Sequence, residues 1–439
     1  MPDEIETFVL NSVVAKEYNN REMTSSEFAD VMRAIEAYQP PEHYEKLKTD
    51  RLKWILPTLG AVQFESQEYI FFRLYSHHCL FSFKNENVDV DAEFRKKFEH
   101  SFDDYAAIVI TIHLFLAQRE ILINKDFLEK LSMKAPWFFK NLKISREEFK
   151  EELSKFAKSK ADYKNCLRPS YSYPFIEYQD KLFLPLPHLL IQSITTAMMN
   201  RLTTDNLSLR ERIGKNSCED YLFKIVSDSG LFDEVKGEYE YAKCKKTIDI
   251  MTRQGKIALL IDSKLFSPKV SLRTYDEESY EKDIDRIAKG MAQAYLHAHN
   301  RFMHEYYPFD TDVEDVYALV VCYQEGYIGL DEIYVRTAQK LSIAVDSEEY
   351  IWLWQHIGFT DIATIGRFLL TKTNIIPEVM NRKKVSDAWL DGRNGAETTE
   401  QVRQYRNKLL KDAEILLREL YEGEDKEYSN ENNEIRGNL

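Results

Sequence analysis

Paired cysteines, glycine-rich nucleotide loops and membrane-length apolar runs are all lacking from this chain of 439 residues. The five cysteines form no CxxC pair, which argues against a disulfide framework and a thiolate zinc site and favours a reducing cytosol. The longest apolar runs, near 106–117 and 189–199, are too short or too polar to span a bilayer. The first ten residues lack the basic start and apolar core of a secretory signal. We therefore expect a cytoplasmic protein without membrane contact.

Glycine and proline are also scarce, at 14 and 12 residues, so long helices are expected and collagen-like structure is excluded. The motifs GxGxxG, GxxxxGK[ST], GxSxG and HExxH do not occur, so nucleotide-dependent enzymes, serine hydrolases and zinc proteases lack their signatures. The net charge of -14 argues against a nucleic-acid-binding coat over the whole surface, but leaves room for a local basic groove.

The order of predicted elements divides the chain into four parts. We expect a mostly helical N-terminal domain for sensing or partner binding, an α/β core, a helical C-terminal region and a disordered acidic tail. Their boundaries are 1–205, 206–345, 346–421 and 422–439. In the first part, Ser25 or Ser26 is the expected helix cap, Pro40-Pro41 the expected helix end, and Gln179-Asp180 the expected turn of a short hairpin.

The α/β core is predicted from a helix, three strands, a second helix and a fourth strand. The expected strands are 234–241, 247–252, 256–266 and 316–323, and the long helix between the last two is 276–306. A C-terminal helix repeats apolar residues from 402 to 420, which favours an ordinary packing helix over a dimer seam.

Two acidic residues and a lysine carry the chemical signal of the core. Asp249 lies on one strand of the predicted hairpin, and Asp262 and Lys264 lie on the other. Because strand side chains alternate, Asp262 and Lys264 share one face, and the hairpin brings Asp249 alongside. Two neighbouring carboxylates suit a hard cation such as Mg²⁺ or Mn²⁺, with the Ser263 carbonyl as a further oxygen ligand. Lys264 would orient or help deprotonate a water and stabilise phosphate charge.

The pieces IGKNSCEDYLFKIV, TIDIM, LLIDSK and IAKGMAQAYLHAHN, in this order, resemble the PD-(D/E)xK (restriction-endonuclease-like) nuclease superfamily over about 207–325. The resemblance implies a metal-site role for Glu219 and a catalytic role for Gln293. The sequence departs from the common pattern at Ile248, where many members have proline, at Asp262, where Glu is more frequent, and at His297, where some members have Tyr.

The resemblance implies an α/β restriction-endonuclease-like core, a central mixed sheet flanked by helices, with mostly α-helical N- and C-terminal regions. It also implies a Mg²⁺-dependent DNA endonuclease of bacterial restriction or antiviral defence, working as a homodimer or with a partner protein. RNA is the alternative substrate. The alternative function is a catalytically inactive module that keeps the nuclease fold and binds nucleic acid or protein; a third is a helical scaffold with an incidental α/β insert.

Basic residues concentrate around the acidic pair. Nine Lys or Arg residues against four Asp or Glu lie between 235 and 275, within an acidic chain. Phosphate contacts are expected where basic charge surrounds a metal site. The predicted nucleic-acid contacts are Lys236, Lys243, Lys245, Lys246, Arg253 and Lys256.

Each candidate also has an ordinary structural explanation. Asp249 and Asp262 would then be solvated strand ends, Lys264 a solvated strand-end lysine paired with Asp262, Glu219 a first-turn helix acid and Gln293 plain helix surface. For Lys236 and Glu238 routine strand roles are favoured over substrate or metal contacts. For His297 and His304 a solvated helix face is favoured. A metal site at His77-His78 with Cys79 is disfavoured, because neighbouring histidines on a strand or loop usually point apart.

Overall fold

The computed structural model describes ten ranges of the chain. These are 2–15, 23–37, 53–54, 69–118, 125–156, 168–204, 206–265, 276–323, 329–371 and 399–421. Pro40-Pro41, Cys166 and the predicted tail 422–439 lie outside the described residues. Helices dominate the described ranges, and a mixed sheet lies among them, so the chain is a mostly helical α/β protein. None of the described helices is both long enough and apolar enough to cross a bilayer.

The N-terminal region is mostly helical, as predicted. Its helices are α1 (Pro2–Val14), α2 (Ser25–Ala37), α3 (Ile70–Phe81), α4 (Val90–Phe98), α5 (Phe102–Gln118), α6 (Lys125–Lys134), α7 (Pro136–Leu142), α8 (Arg146–Phe156), α9 (Arg168–Ser172), α10 (Leu190–Ile194) and α11 (Thr196–Thr204). A small sheet of β1 (Lys143–Ser145), β2 (Phe175–Tyr178) and β3 (Lys181–Phe183) interrupts them.

Two local predictions in this region have different outcomes. The hairpin around Gln179-Asp180 is confirmed, since β2 and β3 pair antiparallel and both turn residues have positive φ, at 50° and 57°. The cap of α2 was predicted at Ser25 or Ser26, one or two residues too late. Thr24 accepts from the Glu27 amide through Oγ1, and Glu27 Oε2 accepts from the Thr24 amide, which makes Thr24 the cap of a reciprocal capping box.

The central sheet has five strands in the order β10-β9-β8-β7-β4. Its members are β4 (Glu234–Gly237), β7 (Ile250–Gln254), β8 (Ile257–Lys264), β9 (Asp315–Cys322) and β10 (Ile357–Asp361). The strands β4, β7 and β8 pair antiparallel, whereas β8, β9 and β10 run parallel. The first predicted strand, 234–241, is divided: its second half contributes β5 (Glu240–Ala242), which forms a separate ribbon with β6 (Lys245–Lys246).

The helices of this part surround the sheet. They are α12 (Leu207–Arg212), a π-helical segment Ile213–Glu219, α13 (Asp220–Asp228), α14 (Glu277–Tyr295), a second π-helical segment Leu296–Arg301, α15 (Leu330–Leu341), α16 (Glu348–His356), α17 (Ile362–Thr371) and α18 (Glu400–Tyr421). The strand β10 corrects the prediction that the chain after 345 is only helical, because it extends the sheet beyond that boundary.

Alternation along β8 sends its side chains into two cores. Leu259 and Ile261 belong to a core shared with the N-terminal helices, α13, α17 and α18. Leu260 belongs to a second core that α14 and α15 cover from the other face. The buried residues Leu409 and Ala413 place α18 in the first core, so the packing helix is confirmed.

Candidate active site

The site forms where β8 ends and β7 begins. Because Ile250 pairs with Ile261, Asp249 comes opposite Asp262 in the antiparallel register. Both side chains lie on the face of the sheet that α14 covers, since Met251 and Leu260 on that face belong to its core. The hairpin prediction for Asp249, Asp262 and Lys264 is therefore confirmed in its geometry: the three residues meet at one end of the sheet.

Asp262 is the most deeply buried member, with 6% of its surface exposed. Lys264 Nζ donates to Asp262 Oδ1 at 2.7 Å. The other oxygen, Oδ2, is buried and meets no hydrogen-bond donor among the described residues. Burial raises the pKa of Asp262, and Lys264 and Asp249 offset part of that rise. An apolar run that ends in a buried acid thus excludes the solvated strand-end explanation for Asp262.

Asp249 is held by the strand next to it. Its Oδ2 accepts from the backbone N–H of Ser263 at 2.7 Å. Burial and the neighbouring charge of Asp262 raise the pKa of Asp249, because two carboxylates so close together resist being ionised at once. Asp249 and Asp262 lie opposite each other across the hairpin, so a shared proton or a cation between them would offset their repulsion.

Lys264 is the cation of the group. Burial alone would lower the pKa of Lys264, but Asp262, Asp249 and Glu219 outweigh burial and raise it. The ammonium therefore stays protonated at neutral pH. Gly290 of α14 packs beside this lysine, since a Cβ there would lie 3.9 Å from Lys264 Cε and 3.4 Å from Val320 Cγ1, which are ordinary van der Waals distances.

Glu219 joins the group from the end of the first π-helical segment. Burial raises the pKa of Glu219 to about 8, and the charges of Asp249 and Glu238 add to the rise. Lys264 and Lys215 act in the opposite direction. Glu219 is therefore close enough to Asp249 and Lys264 to feel their charges, and its metal-site role stays a prediction.

Glu238 was passed over as a routine strand residue, yet its charge raises the pKa of both Glu219 and Asp249. It follows β4 in the loop that leads to β5, and Lys246 Nζ donates to it at 2.6 Å. No sequence motif marks Glu238, because the contact depends on how the β5–β6 ribbon folds back.

The helical residues Gln293 and His297 have unlike environments. Gln293 is exposed one turn beyond Gly290, and its catalytic role stays a prediction. The prediction of a solvated helix face for His297 is wrong, because the residue is half-buried and contacts Tyr306 and Arg301. Burial, Arg301 and Lys264 lower the pKa of His297 to about 4. His304 is exposed.

The predicted phosphate contacts fall into two groups. Lys243, Lys245 and Lys246 lie on or beside the β5–β6 ribbon, next to Glu238. Arg253 and Lys256 lie at the opposite end of the β7–β8 hairpin, roughly 15–20 Å from Asp262 by strand geometry. Arg253 pairs with Glu234 at 2.8 Å and Lys256 pairs with Glu314. The structure therefore does not bring these two residues to the acidic group.

Acids also pair with most of the other basic residues. Lys245 contacts Glu305 at 3.1 Å, and Lys236 lies 4.0 Å from Glu234. Exposed pairs of this kind are weak enough to open for a phosphate. Contact of these lysines with nucleic acid stays a prediction.

The carboxylates of Asp249, Asp262 and Glu219 are oxygen donors of the kind that divalent cations bind. Within the described ranges, no three His, Cys, Asp or Glu side chains form a ready-made metal cage. Magnesium usually takes only one or two carboxylates and keeps several waters. The unsatisfied Oδ2 of Asp262 and the raised pKa of the neighbouring acids fit such a cation, which would supply the positive charge that the group lacks. Ser263 contributes its N–H to Asp249, and its carbonyl as a metal ligand stays a prediction.

Two histidines considered as a metal site belong to helix α3, and not to a strand or loop. His77 Nδ1 contacts the Arg73 carbonyl at 2.9 Å, and burial lowers the pKa of His77 to about 3. His78 contacts Asp103 at 2.7 Å. Both contacts are structural.

The chain matches no protein-family model, no curated protein and no solved structure.

Proposed function

We propose that this chain is a metal-dependent nuclease with a PD-(D/E)xK-type site and a restriction-endonuclease-like core. The observation that carries the proposal is the buried pair Asp249 and Asp262, with Lys264 bonded to one of its oxygens and the other oxygen left without a donor. The order of α13, three antiparallel strands, α14 and the parallel strand β9 supports the fold assignment.

Asp249 and Asp262 would hold Mg²⁺ or Mn²⁺, with Glu219 beside them. When bound, the cation polarises the scissile phosphate and lowers the pKa of a water. Lys264 would donate a hydrogen bond that orients the water or stabilises phosphate charge, or it would help to deprotonate the water. Burial of Asp262 excludes water from one side of the group.

DNA is the proposed substrate, cut internally, with RNA as the alternative, and the proposed setting is restriction or antiviral defence. The basic β5–β6 ribbon beside the site supports a polyanionic substrate. A homodimer or a partner protein would bring two sites to two strands.

The test is a cleavage assay on supercoiled plasmid, single-stranded DNA and RNA with Mg²⁺ or Mn²⁺. We expect the wild type to cut at least one substrate, and Asp262→Asn and Lys264→Gln each to lower the rate by roughly 100-fold or more. Lys282→Gln, an exposed lysine on α14, is the matched control and should keep wild-type activity. A wild type that binds DNA but cuts nothing favours the inactive binding module; equal rates in Asp262→Asn and wild type overturn the site.

A further inference from the structure

The β5–β6 ribbon projects from the end of the sheet at which the carboxylates lie. Gly237, the last residue of β4, pairs with Ile250, the first residue of β7. Between these two residues the chain runs outward through β5, turns at Lys243 and Cys244, and returns through β6 to Asp249. The ribbon therefore continues the β4–β7 hairpin beyond Asp249, by roughly 10–15 Å from the rise per residue of a strand.

Two sets of contacts fix the base of the ribbon. The Tyr239 N–H donates to Thr247 Oγ1 at 3.0 Å, and the Thr247 N–H donates to the Tyr239 carbonyl at 3.0 Å. The Tyr241 hydroxyl donates to Glu305 at 2.8 Å, and the Tyr241 ring packs 4.9 Å from the ring of Tyr306. Because Tyr306 belongs to the core that α14 covers, these contacts hold the ribbon on the face of the sheet that carries the two aspartates.

The outer part of the ribbon is basic and open to solvent. Lys243, Lys245 and Lys246 lie within four successive residues, and each residue from 242 to 246 is exposed. Glu240 is the one acid in the sequence of the ribbon, so three positive charges stand against one negative charge in a chain of net charge -14. The ion pairs of Lys245 and Lys246 are partly exposed, and pairs of this kind are weak enough to exchange for a phosphate.

The shape of the ribbon limits the nucleic acid that it fits. A two-stranded ribbon fits the major groove of B-form DNA, which is about 12 Å wide, and is too broad for the minor groove, at about 6 Å. The major groove of A-form RNA is too deep and narrow for side chains to read, and a single strand has no groove. A basic ribbon beside the carboxylates therefore matches duplex DNA best.

We propose that the β5–β6 ribbon enters the major groove of double-stranded DNA, with Lys243, Lys245 and Lys246 on the phosphates that border the groove. This inference rests on the proposed nuclease function, and it names duplex DNA as the substrate class of that site. Since the ribbon returns directly to Asp249, its contact with the groove sets the position of the duplex relative to the carboxylates.

The first experiment measures binding by fluorescence anisotropy in a chelator, so that no cleavage takes place. The ligands are a short DNA duplex, a single strand of the same sequence and the corresponding RNA duplex. Lys243→Gln is the test variant, because Lys243 lies in the turn and its replacement leaves the contacts at the base of the ribbon in place. Lys181→Gln is the matched control, since Lys181 is exposed beside the turn of the β2–β3 hairpin.

We expect the wild type to bind the DNA duplex at least roughly tenfold more tightly than the single strand or the RNA duplex. Lys243→Gln should weaken duplex binding by roughly 3- to 10-fold and reduce the slope of log K against log salt concentration by about 1, because one phosphate contact is lost. Lys181→Gln should change neither quantity. Equal effects of the two variants, or equal affinity of the wild type for the three ligands, overturn the proposal.

Cys244 allows a second experiment, which locates the DNA. It is exposed, whereas Cys79 is half-buried and Cys218 and Cys322 are buried. A thiol-reactive photocrosslinker attached at Cys244 should join the protein to the DNA duplex, and Cys244→Ser treated in the same way should lose most of that product. An equal yield from Cys244→Ser would place the DNA away from the ribbon and overturn the inference.

Neither experiment needs cleavage, so the two proposals fail separately. A wild type that crosslinks to duplex DNA through the ribbon but cuts nothing in Mg²⁺ or Mn²⁺ contradicts the nuclease and leaves the groove contact standing. A wild type that cuts single strands or RNA and does not bind the duplex contradicts the groove contact and leaves the nuclease standing.

Discussion

Carboxyl groups outnumber ammonium groups around Asp262, and this imbalance is the main electrostatic feature of the site. The charge of Asp249 raises the pKa of Glu219 and the charge of Asp262 raises the pKa of Asp249, while Lys264 is the one cation hydrogen-bonded to these three acids among the described residues. Groups that share an environment of this kind are costly to stability and are typical of functional sites.

The raised pKa of Glu219 predicts a pH-dependent stability. Between its ordinary value of 4.5 and about 8, the folded chain keeps a proton that the unfolded chain has released. The contribution of Glu219 to the unfolding free energy is therefore fully present below about pH 4.5 and is lost as the pH rises through about 8. Glu219→Gln should remove this loss and raise the unfolding free energy at pH 8.5 by about 1 kcal/mol or less, because the side chain is partly exposed.

Thermal unfolding in a chelator at pH 5.5 and pH 8.5 measures this effect. The difference between the two pH values should be smaller in Glu219→Gln than in the wild type. Glu314→Gln, an exposed acid at the other end of the sheet, should leave that difference unchanged. A Glu219→Gln variant with the full wild-type difference contradicts the burial argument.

Sequence reasoning at the residue scale found Asp249, Asp262 and Lys264 because a fully apolar run ends at Asp262 and alternation fixes the face. It favoured a routine strand role for Glu238, and it placed His297 on a solvated face. Both depend on how a turn folds back: Lys246 contacts Glu238, and Tyr306 contacts His297. Periodicity carries no information about such contacts.

At the scale of elements, α14 packs against β8 and β9 at Gly290, beside Lys264 and Val320. Glycine at 290 costs helix stability relative to alanine, by about 1 kcal/mol. A Cβ at this position would make contacts of 3.4 and 3.9 Å, which are ordinary van der Waals distances. Gly290→Ala should therefore raise the unfolding free energy by up to about 1 kcal/mol and keep cleavage within a few-fold of wild type.

Gly290→Leu is the contrasting variant, because its longer side chain reaches the Lys264 stem and must displace it. Cleavage should fall by at least roughly tenfold. Chemical denaturation and cleavage rates of the two variants check this pair. A Gly290→Leu variant as active as Gly290→Ala contradicts the close packing of α14 over Lys264.

Most elements of the α/β region were predicted to within a few residues, because their apolar patterns are local. The strand β10 was not predicted. It is five residues long and follows directly on α16, so its sequence IGFTD gives no strand signal until it pairs with β9. The division of 234–241 into β4 and β5 was missed for a similar reason, since both halves alternate and only their partners differ.

At the scale of the whole molecule, one core connects the N-terminal helices, a face of the sheet and α18. Tyr405 of α18 donates to Asp103 of α5 at 2.9 Å, which joins the C-terminal helix to the N-terminal region. The charged side chains near the site are likewise in contact with one another. Most of the basic residues near the site are paired with acids, and a polyanion would have to compete for them.

The shared core predicts that α18 contributes to the stability of the whole chain. Leu409→Ala, at a fully buried position, should lower the unfolding free energy by about 2–5 kcal/mol. Ile415→Ala, at a position 46% exposed on the same helix, should change it by about 0.5 kcal/mol or less. Denaturant titrations compare the two. Equal effects would mean that α18 does not belong to the core.

The most direct test of the central claim, that the carboxylates at the end of β8 form a divalent-cation site, is a calorimetric titration with Mn²⁺. It needs no substrate and no knowledge of the trigger. We predict saturable binding by the wild type, loss of that binding in Asp262→Asn, and unchanged binding in Glu314→Gln. No saturable heat in the wild type, or the same binding in Asp262→Asn, would contradict the metal site and with it the proposed nuclease.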